Sequence, residues 1–313
     1  MKKYLLVVAV MIVGLTAVSM ALTIGLVLGN MDNPYFVEMA NAAKTQAKLL
    51  GANLIVLNAN YSNATQYNQV EDLIQRKVDA IVINPTDSAA QIPAAEAAYK
   101  AGIPFVCIDR TVNSSDISLD IESNNTEAGR LNAEALVKML NGKGNIAVIL
   151  GTPGLSVQRE RTEGFMQVIK KYPGIHVVAE PNGNFNMADG MKAAEAVLTA
   201  HPNLDAIYAE NDPMALGTVQ AIKEFNRKGI KVFAIDASPQ GLQALKKGEI
   251  TVDVGQQPRR MTMLAVAAAD FLARGFKMIL PANTKNKRYF LKVYAITKSN
   301  VDQWLSESVN GWH

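Results

Sequence analysis

The stretch TIGLVLGNMDNPYF, residues 23–36, sets the pattern that the rest of the chain repeats. Its first part is a short apolar run, which predicts a buried strand at residues 24–28. A polar loop follows, and Asn33 then precedes Pro34. This pair is typical of a helix start, because asparagine caps a helix and proline fits its first turn. We therefore predict a strand, a polar loop and a helix in succession.

The same succession recurs along the chain. Apolar runs predict further strands at residues 54–57, 80–83, 105–108, 146–150, 176–179, 206–208, 232–235 and 251–254, with a short one near 291–296. Helices are predicted to begin near residues 34, 64, 88, 125, 156, 187, 212, 238, 258 and 300. Strands that are apolar throughout and separated by helices indicate parallel sheets covered on both faces. The predicted fold class is α/β, with doubly wound parallel sheets.

The pattern runs through two rounds, which predicts two lobes. We expect one lobe to comprise residues 22–123 plus about 256–284, and the other residues 124–255 plus about 285–313. No Pro/Ser-rich tether separates the rounds. Short strand-like crossings should therefore join the lobes as a multi-strand hinge, with a ligand in the cleft between them.

The N-terminus predicts a signal peptide at residues 1–21. Lys2 and Lys3 precede an apolar run at residues 5–18, and Ser19-Met20-Ala21 resembles a cleavage site. The run is shorter than the roughly 20 apolar residues of a membrane span. We expect a periplasmic protein, or an extracellular membrane-associated one if the cell has a single membrane. An uncleaved N-terminal anchor is the alternative.

Composition argues against several classes of function. Without Lys2 and Lys3, 29 of the 31 basic residues remain against 28 acidic ones. This nearly neutral balance gives no electrostatic reason to expect nucleic acid binding. The single cysteine, Cys107, excludes an internal disulfide and is predicted to be a small buried hydrophobe. The three histidines lack metal-ligand spacing. We expect no metal and no cofactor.

Polar and aromatic side chains follow nearly every predicted strand, where ligands bind in open α/β sheets. The candidates are Asn33, Tyr35, Phe36, Asp109, Arg110, Arg159, Arg161, Phe185, Asn211, Asp236 and Gln256. Carboxylates, amides and guanidinium groups complement the hydroxyls of a neutral polyol, and aromatic rings its C–H faces. Each residue also has a structural interpretation. The asparagines would be helix caps, the arginines solvated charges and the aromatics core residues.

Several segments, in order over residues 22–275, resemble one known family. They are NPYF (33–36), INPTDS (83–88), IP (103–104) with IDR (108–110), RER (159–161) with EGF (163–165), ND (211–212) with MALG (214–217), and Gln256 with Pro258. They are similar to periplasmic sugar-binding proteins of the ribose-binding type, the type I solute-binding proteins of ABC transporters. The resemblance implies a monomer that closes on a monosaccharide and delivers it to a permease.

The resemblance also implies the ligand residues. They fall on Asn33, Tyr35, Phe36, Asp109, Arg110, Arg159, Phe185, Asn211, Asp236 and Gln256. The aromatics would sandwich the sugar ring and the polar groups would bind its hydroxyls. Three positions depart from the ribose-binding pattern, namely Tyr35 for Phe, Ile235 for an aromatic residue and Gly29 for Ser. We expect them to alter the shape and polarity of the cleft. The ligand could therefore be a ribose-like pentose, another sugar or a cyclic polyol.

Rival functions have less support. An exported sugar sensor or chemoreceptor ligand carrier would use the same binding chemistry. An enzyme is not expected, since residues 151–156 lack the lysine of a phosphate-binding loop and no Gly-x-Ser-x-Gly elbow exists. Asp109 and Asp236 would suit a glycosidase, but neighbouring Arg110 and Arg159 should lower their pKa values. A transcriptional regulator would carry a helix-turn-helix where this chain has its apolar N-terminal segment.

Overall fold

The computed structural model describes residues 21–278 and 287–308. The predicted signal peptide therefore lies outside the described residues, apart from Ala21. The strands are β1 (Thr23–Leu28), β2 (Asn53–Asn58), β3 (Ala80–Ile83), β4 (Phe105–Ile108), β5 (Leu119–Ser123), β6 (Gly144–Ile149), β7 (Ile175–Ala179), β8 (Ala206–Ala209), β9 (Lys231–Asp236), β10 (Val252–Gly255), β11 (Arg288–Leu291) and β12 (Tyr294–Ile296).

Helices connect most of these strands. They are α1 (Pro34–Leu50), α2 (Asn63–Gln75), α3 (Ile92–Lys100), α4 (Asn125–Met139), α5 (Ser156–Ile169), α6 (Met187–Ala200), α7 (Asp212–Glu224), α8 (Pro239–Lys247), α9 (Pro258–Ala273) and α10 (Val301–Ser308). Within the described ranges, none of them combines the length and the apolar character that a membrane crossing requires.

The strands form two six-stranded sheets. The first has the order β11-β5-β4-β3-β1-β2, and every pairing in it is parallel. The second has the order β12-β10-β9-β8-β6-β7, and β12 pairs antiparallel to β10. Buried side chains of α1 and α9 cover one face of the first sheet, and those of α2 and α3 cover the other. The predicted fold class, two doubly wound α/β lobes, is confirmed.

Among the residues that the structure describes, three crossings connect the lobes. They follow β5, follow β10, and lie at Lys292 and Val293 between β11 and β12. The sequence placed the third crossing after residue 284 and predicted one strand near 291–296. Both predictions are corrected by the structure. β11 pairs with β5, with Arg288 opposite Asp120, so β11 belongs to the first lobe and the crossing comes after it. The predicted strand is two strands, one in each sheet.

Candidate ligand-binding cleft

The carboxyl ends of both sheets meet at one cleft, and nine of the ten predicted site residues line it. These are Asn33, Tyr35, Phe36, Asp109, Arg110, Phe185, Asn211, Asp236 and Gln256, joined by Val157 and Arg161. All of them except Asn33 are buried. The space that they enclose is about 20 Å³, roughly one water molecule by the usual measure. The side chains are therefore packed against one another across the cleft.

Arg159 is the predicted site residue that the structure places elsewhere. It is exposed and lies beside Lys287 and Arg288 on another surface, while Arg161 is 3% exposed and lines the cleft. Residues two apart on α5 are separated by about 200° around the helix axis. Arg161 falls on the buried face, at helical spacing from Val157 and Phe165. That spacing is the sequence signal that identifies Arg161.

The second lobe holds Arg161 firmly. Its Nε donates to Oδ1 of Asn125 at 2.9 Å, and its Nη1 donates to the carbonyl oxygen of Glu210. The guanidinium carbon lies 5.6 Å from the ring centroid of Phe185, within cation–π range. A charged, donor-only group is thereby fixed at the cleft wall.

The first lobe contributes the adjacent pair Asp109 and Arg110. Asp109 accepts from Nδ2 of Asn84 at 2.9 Å and lies 3.4 Å from Nε of Arg110. The guanidinium carbon of Arg110 is 5.1 Å from the ring centroid of Phe36 and 5.9 Å from that of Phe185. Burial lowers the pKa of Arg110, but an arginine remains charged. This arginine thus lies close to aromatic rings of both lobes.

Asp236, Gln256 and Tyr35 form a hydrogen-bonded chain. Gln256 donates from Nε2 to Oδ1 of Asp236 at 2.7 Å and accepts from the hydroxyl of Tyr35 at 3.3 Å. Burial, and then the negative charge of Asp212, raise the pKa of Asp236 well above its ordinary value despite Arg161. The expected lowering of the Asp236 pKa by arginines is therefore wrong, because desolvation outweighs the charge attraction.

The asparagines of the cleft also cap helices, as their structural interpretation predicted. Asn33 accepts from the amide of Tyr35 at 2.9 Å at the start of α1, and Asn211 accepts from the amide of Met214 at 3.1 Å at the start of α7. Asn211 also donates to the carbonyl oxygen of Phe185 at 3.1 Å. Asn33 therefore fixes the first turn of α1, which carries Tyr35 and Phe36, and Asn211 fixes the loop that carries Phe185.

Three cleft residues have an unusual backbone. Asp109, Phe185 and Asp236 have φ angles of 65°, 57° and 146°, a region that side chains other than glycine rarely adopt. Such conformations persist where the surrounding structure enforces them, often at functional sites. Gly151 makes room for one of them, since a Cβ there would lie 2.0 Å from the ring of Phe185.

The three departures from the ribose-binding pattern have different consequences. Tyr35 lines the cleft. Ile235 is fully buried in the core of the second sheet, and Gly29 lies beside Asn84. The expectation that Ile235 reshapes the cleft is wrong, because its side chain points into that core. Of the three, Tyr35 alone lines the cleft.

A larger chamber of about 530 Å³ adjoins the cleft and shares Asn33, Phe185 and Asp236 with it. Its remaining walls come from both lobes: Asn30, Asp32, Pro34, Tyr61, Asn186, Met187, Pro213, Leu216, Ser238 and Gln240. In the parts of the chain that the structure describes, no group of three or more His, Cys, Asp or Glu residues is arranged to hold a metal ion.

The lobes touch one another beside the cleft. The amide of Thr111 donates to Oγ of Ser156 at 3.2 Å, and the amide of Ser156 donates to Oγ of Ser88 at 3.2 Å. Arg288 of the first lobe pairs with Glu160 of the second at 2.7 Å. These contacts describe a closed arrangement of the lobes.

Comparison with known proteins identifies the family. A family model described as a periplasmic binding protein domain matches residues 24–277. A ribose import binding protein of Bacillus subtilis is 35% identical over 82% of this chain and 83% of that protein. The chain belongs to the periplasmic binding protein family, of the ribose-binding type. The resemblance inferred from the sequence is confirmed.

Solved structures of this family share the fold. An ABC transporter solute-binding protein from Bacillus halodurans with bound myo-inositol has a TM-score of 0.86 and 29% identity, over 91% of this chain and 98% of that one. One from Actinobacillus succinogenes with bound D-allose has a TM-score of 0.84 and 28% identity, over 90% and 100%. These relatives are binding proteins rather than enzymes, and their ligands differ.

Proposed function

We propose that this chain is the solute-binding protein of an ABC sugar importer, which captures one monosaccharide or cyclic polyol in the cleft and delivers it to a permease. The observation that carries the proposal is the convergence of buried carboxyl and guanidinium groups from both lobes. Asp109 and Arg110 come from one lobe, and Arg161 and Asp236 from the other. We further propose export to the periplasm by the N-terminal segment.

The chemistry of the cleft matches a neutral, hydroxyl-rich ring. Each sugar hydroxyl is both a donor and an acceptor, so it can donate to Asp109 or Asp236 and accept from Arg110 or Arg161. Hydrogen bonds to charged groups are the stronger kind. The rings of Phe36 and Phe185, one from each lobe, supply apolar faces for the C–H groups.

Hinge closure explains how a permease could detect that a sugar is bound. The cleft residues already fill the enclosed space, so a ring must part them as it enters. A sugar then stabilises the closed state only through contacts that it makes to both lobes together. A permease that contacts both lobe surfaces thereby distinguishes the loaded protein from the empty one.

A thermal-shift screen of the purified protein tests the proposal. The panel contains ribose, D-allose, myo-inositol, xylitol and further pentoses and hexoses, each at millimolar concentration. A ligand at 100 times its dissociation constant stabilises the folded protein by about 2.7 kcal/mol. We expect one or a few of these compounds to raise the melting temperature by several degrees. If none does, or if amino acids and peptides do so instead, the proposed ligand class is wrong.

A further inference from the structure

Two more carboxyl groups lie behind Asp236, on neighbouring elements. Asp212 begins α7 and Asp253 lies on β10, and both are fully buried. Oδ2 of Asp212 accepts from the amide of Ser238 at 2.7 Å and also from its hydroxyl. Oδ1 of Asp253 accepts from the amide of Ala237 at 3.0 Å. The two carboxyl groups thus bind the backbone turn that carries Asp236.

That turn needs external support. Asp236 and Ala237 have φ angles of 146° and 57°, and residues other than glycine keep such conformations only where surrounding contacts enforce them. The amide of Asp212 also donates to Oδ2 of Asp236 at 3.3 Å. The orientation of the Asp236 carboxylate in the cleft therefore depends on where Asp212 and Asp253 are held.

The remaining oxygens of the pair show how the two are held together. Oδ1 of Asp212 and Oδ2 of Asp253 are buried and have no hydrogen-bond donor among the described residues. The two side chains lie within hydrogen-bonding reach of each other. Two ionised carboxylates only accept and repel each other, whereas one proton between them makes one the donor and satisfies both. Burial and the mutual repulsion of Asp212 and Asp253 accordingly raise the pKa of Asp212.

We propose that Asp212 and Asp253 share one proton at neutral pH and, as a pair, position Asp236 for sugar binding. This inference rests on the proposed function. Asp236 faces the pair, and Arg161 lies beyond Asp236. Tyr35 also interacts electrostatically with Asp236. Loss of the shared proton in alkaline solution would leave both Asp212 and Asp253 negatively charged, next to the carboxylate of Asp236. Sugar affinity should then fall as pH rises above neutral.

Asp253→Asn is the decisive variant. Its amide N–H replaces the shared proton toward Asp212, and its Oδ1 still accepts from Ala237. We expect sugar affinity within about threefold of wild type at pH 7.5, with the decline above neutral pH abolished. Asp253→Ala removes both contacts, and its affinity should fall at least tenfold. Asp72→Asn, an exposed carboxyl group paired with Arg76, is the control and should keep the wild-type pH profile.

Infrared spectroscopy of protein carrying ¹³C-labelled aspartate detects the proton itself. At pH 7.5 the wild-type-minus-Asp253→Asn difference spectrum should show one protonated aspartic acid that the variant lacks. The inference is overturned if that band is missing, or if Asp253→Asn loses as much affinity as Asp253→Ala. The spectrum needs neither sugar nor the Ala variant. If no compound of the panel binds, the proposed function fails while the spectrum still reports on the pair.

Discussion

Tyr35 and Gln256 link the first lobe to a crossing of the hinge. The hydroxyl of Tyr35 donates to Oε1 of Gln256 at 3.3 Å, and the same glutamine donates to Asp236 at 2.7 Å. Gln256 is 1% exposed and follows β10, where the chain passes between the lobes. One side chain therefore couples hinge position to the orientation of a proposed sugar-binding carboxylate.

Gln256→Ala should weaken sugar binding at least tenfold, which corresponds to about 1.4 kcal/mol. The change removes the hydrogen bond to buried Asp236 and leaves that carboxylate less well satisfied. Isothermal titration calorimetry measures it. Gln257→Ala is the matched control, because Gln257 lies in the same crossing but donates to the carbonyl oxygen of Lys292. Equal affinities of both variants would remove Gln256 from the site.

Arg161→Ala should reduce affinity about 100-fold or more, while Arg159→Ala should stay within twofold of wild type. Arg161 is buried in the cleft and Arg159 is exposed outside it. The two variants therefore compare loss of an arginine in the cleft with loss of an arginine on the surface of the same helix. Truncating a buried charged donor costs several kcal/mol. The reverse ranking of the two variants in calorimetry would contradict the placement of α5.

Glu160→Gln should favour the open form. Arg288 pairs with Asp120 and Glu122 in its own lobe and with Glu160 across the hinge. Weakening the cross-lobe pair should cost about 1 kcal/mol of closure, so affinity should fall about fivefold. Small-angle scattering of the sugar-free protein should show a larger radius of gyration. Glu163→Gln, at an exposed position of the same helix, should change neither quantity.

Stability should fall as pH rises from about 5 to 8. Burial raises the pKa of Glu210 from 4.5 to about 7. The folded protein therefore holds this proton more tightly than the unfolded chain does. The stability that this provides is complete below pH 4.5 and disappears as pH rises to about 7. A rise of the Glu210 pKa from 4.5 to about 7 corresponds to roughly 3 kcal/mol.

Melting temperatures across this pH range test the effect. Glu210→Gln should flatten the decline but not remove it, because Asp120 has a pKa raised to about 6 with the same sign. A wild-type melting temperature that stays constant or rises between pH 5 and 8 would contradict the prediction.

The lobes were predictable because most of their strands are apolar throughout, which is what burial on both faces demands. β5 was missed because its sequence, LDIES, carries two acidic residues. Asp120 and Glu122 are nonetheless buried, and their counter-charge, Arg288, lies more than 160 residues away. No local pattern reveals such a partner.

The residues that line the cleft were largely predictable for a different reason. Strand ends mark the cleft, and the resemblance to the ribose-binding type selected among the polar residues that follow them. Choosing Arg161 rather than Arg159 requires the helical register of α5, which the buried residues Val157 and Phe165 define. The positive φ angles of Asp109 and Asp236 and the carboxyl pair behind Asp236 depend on contacts distant in sequence. Those features required the folded structure.

Calorimetric titration of wild type and Asp236→Ala, with the compound giving the largest thermal shift, tests the central claim most directly. We predict one binding site per chain with a dissociation constant of about 10 μM or tighter, roughly −7 kcal/mol, and a loss of at least 100-fold in the variant. A stoichiometry other than one, or equal affinity of the two proteins, would contradict a sugar site built around Asp236 in the cleft.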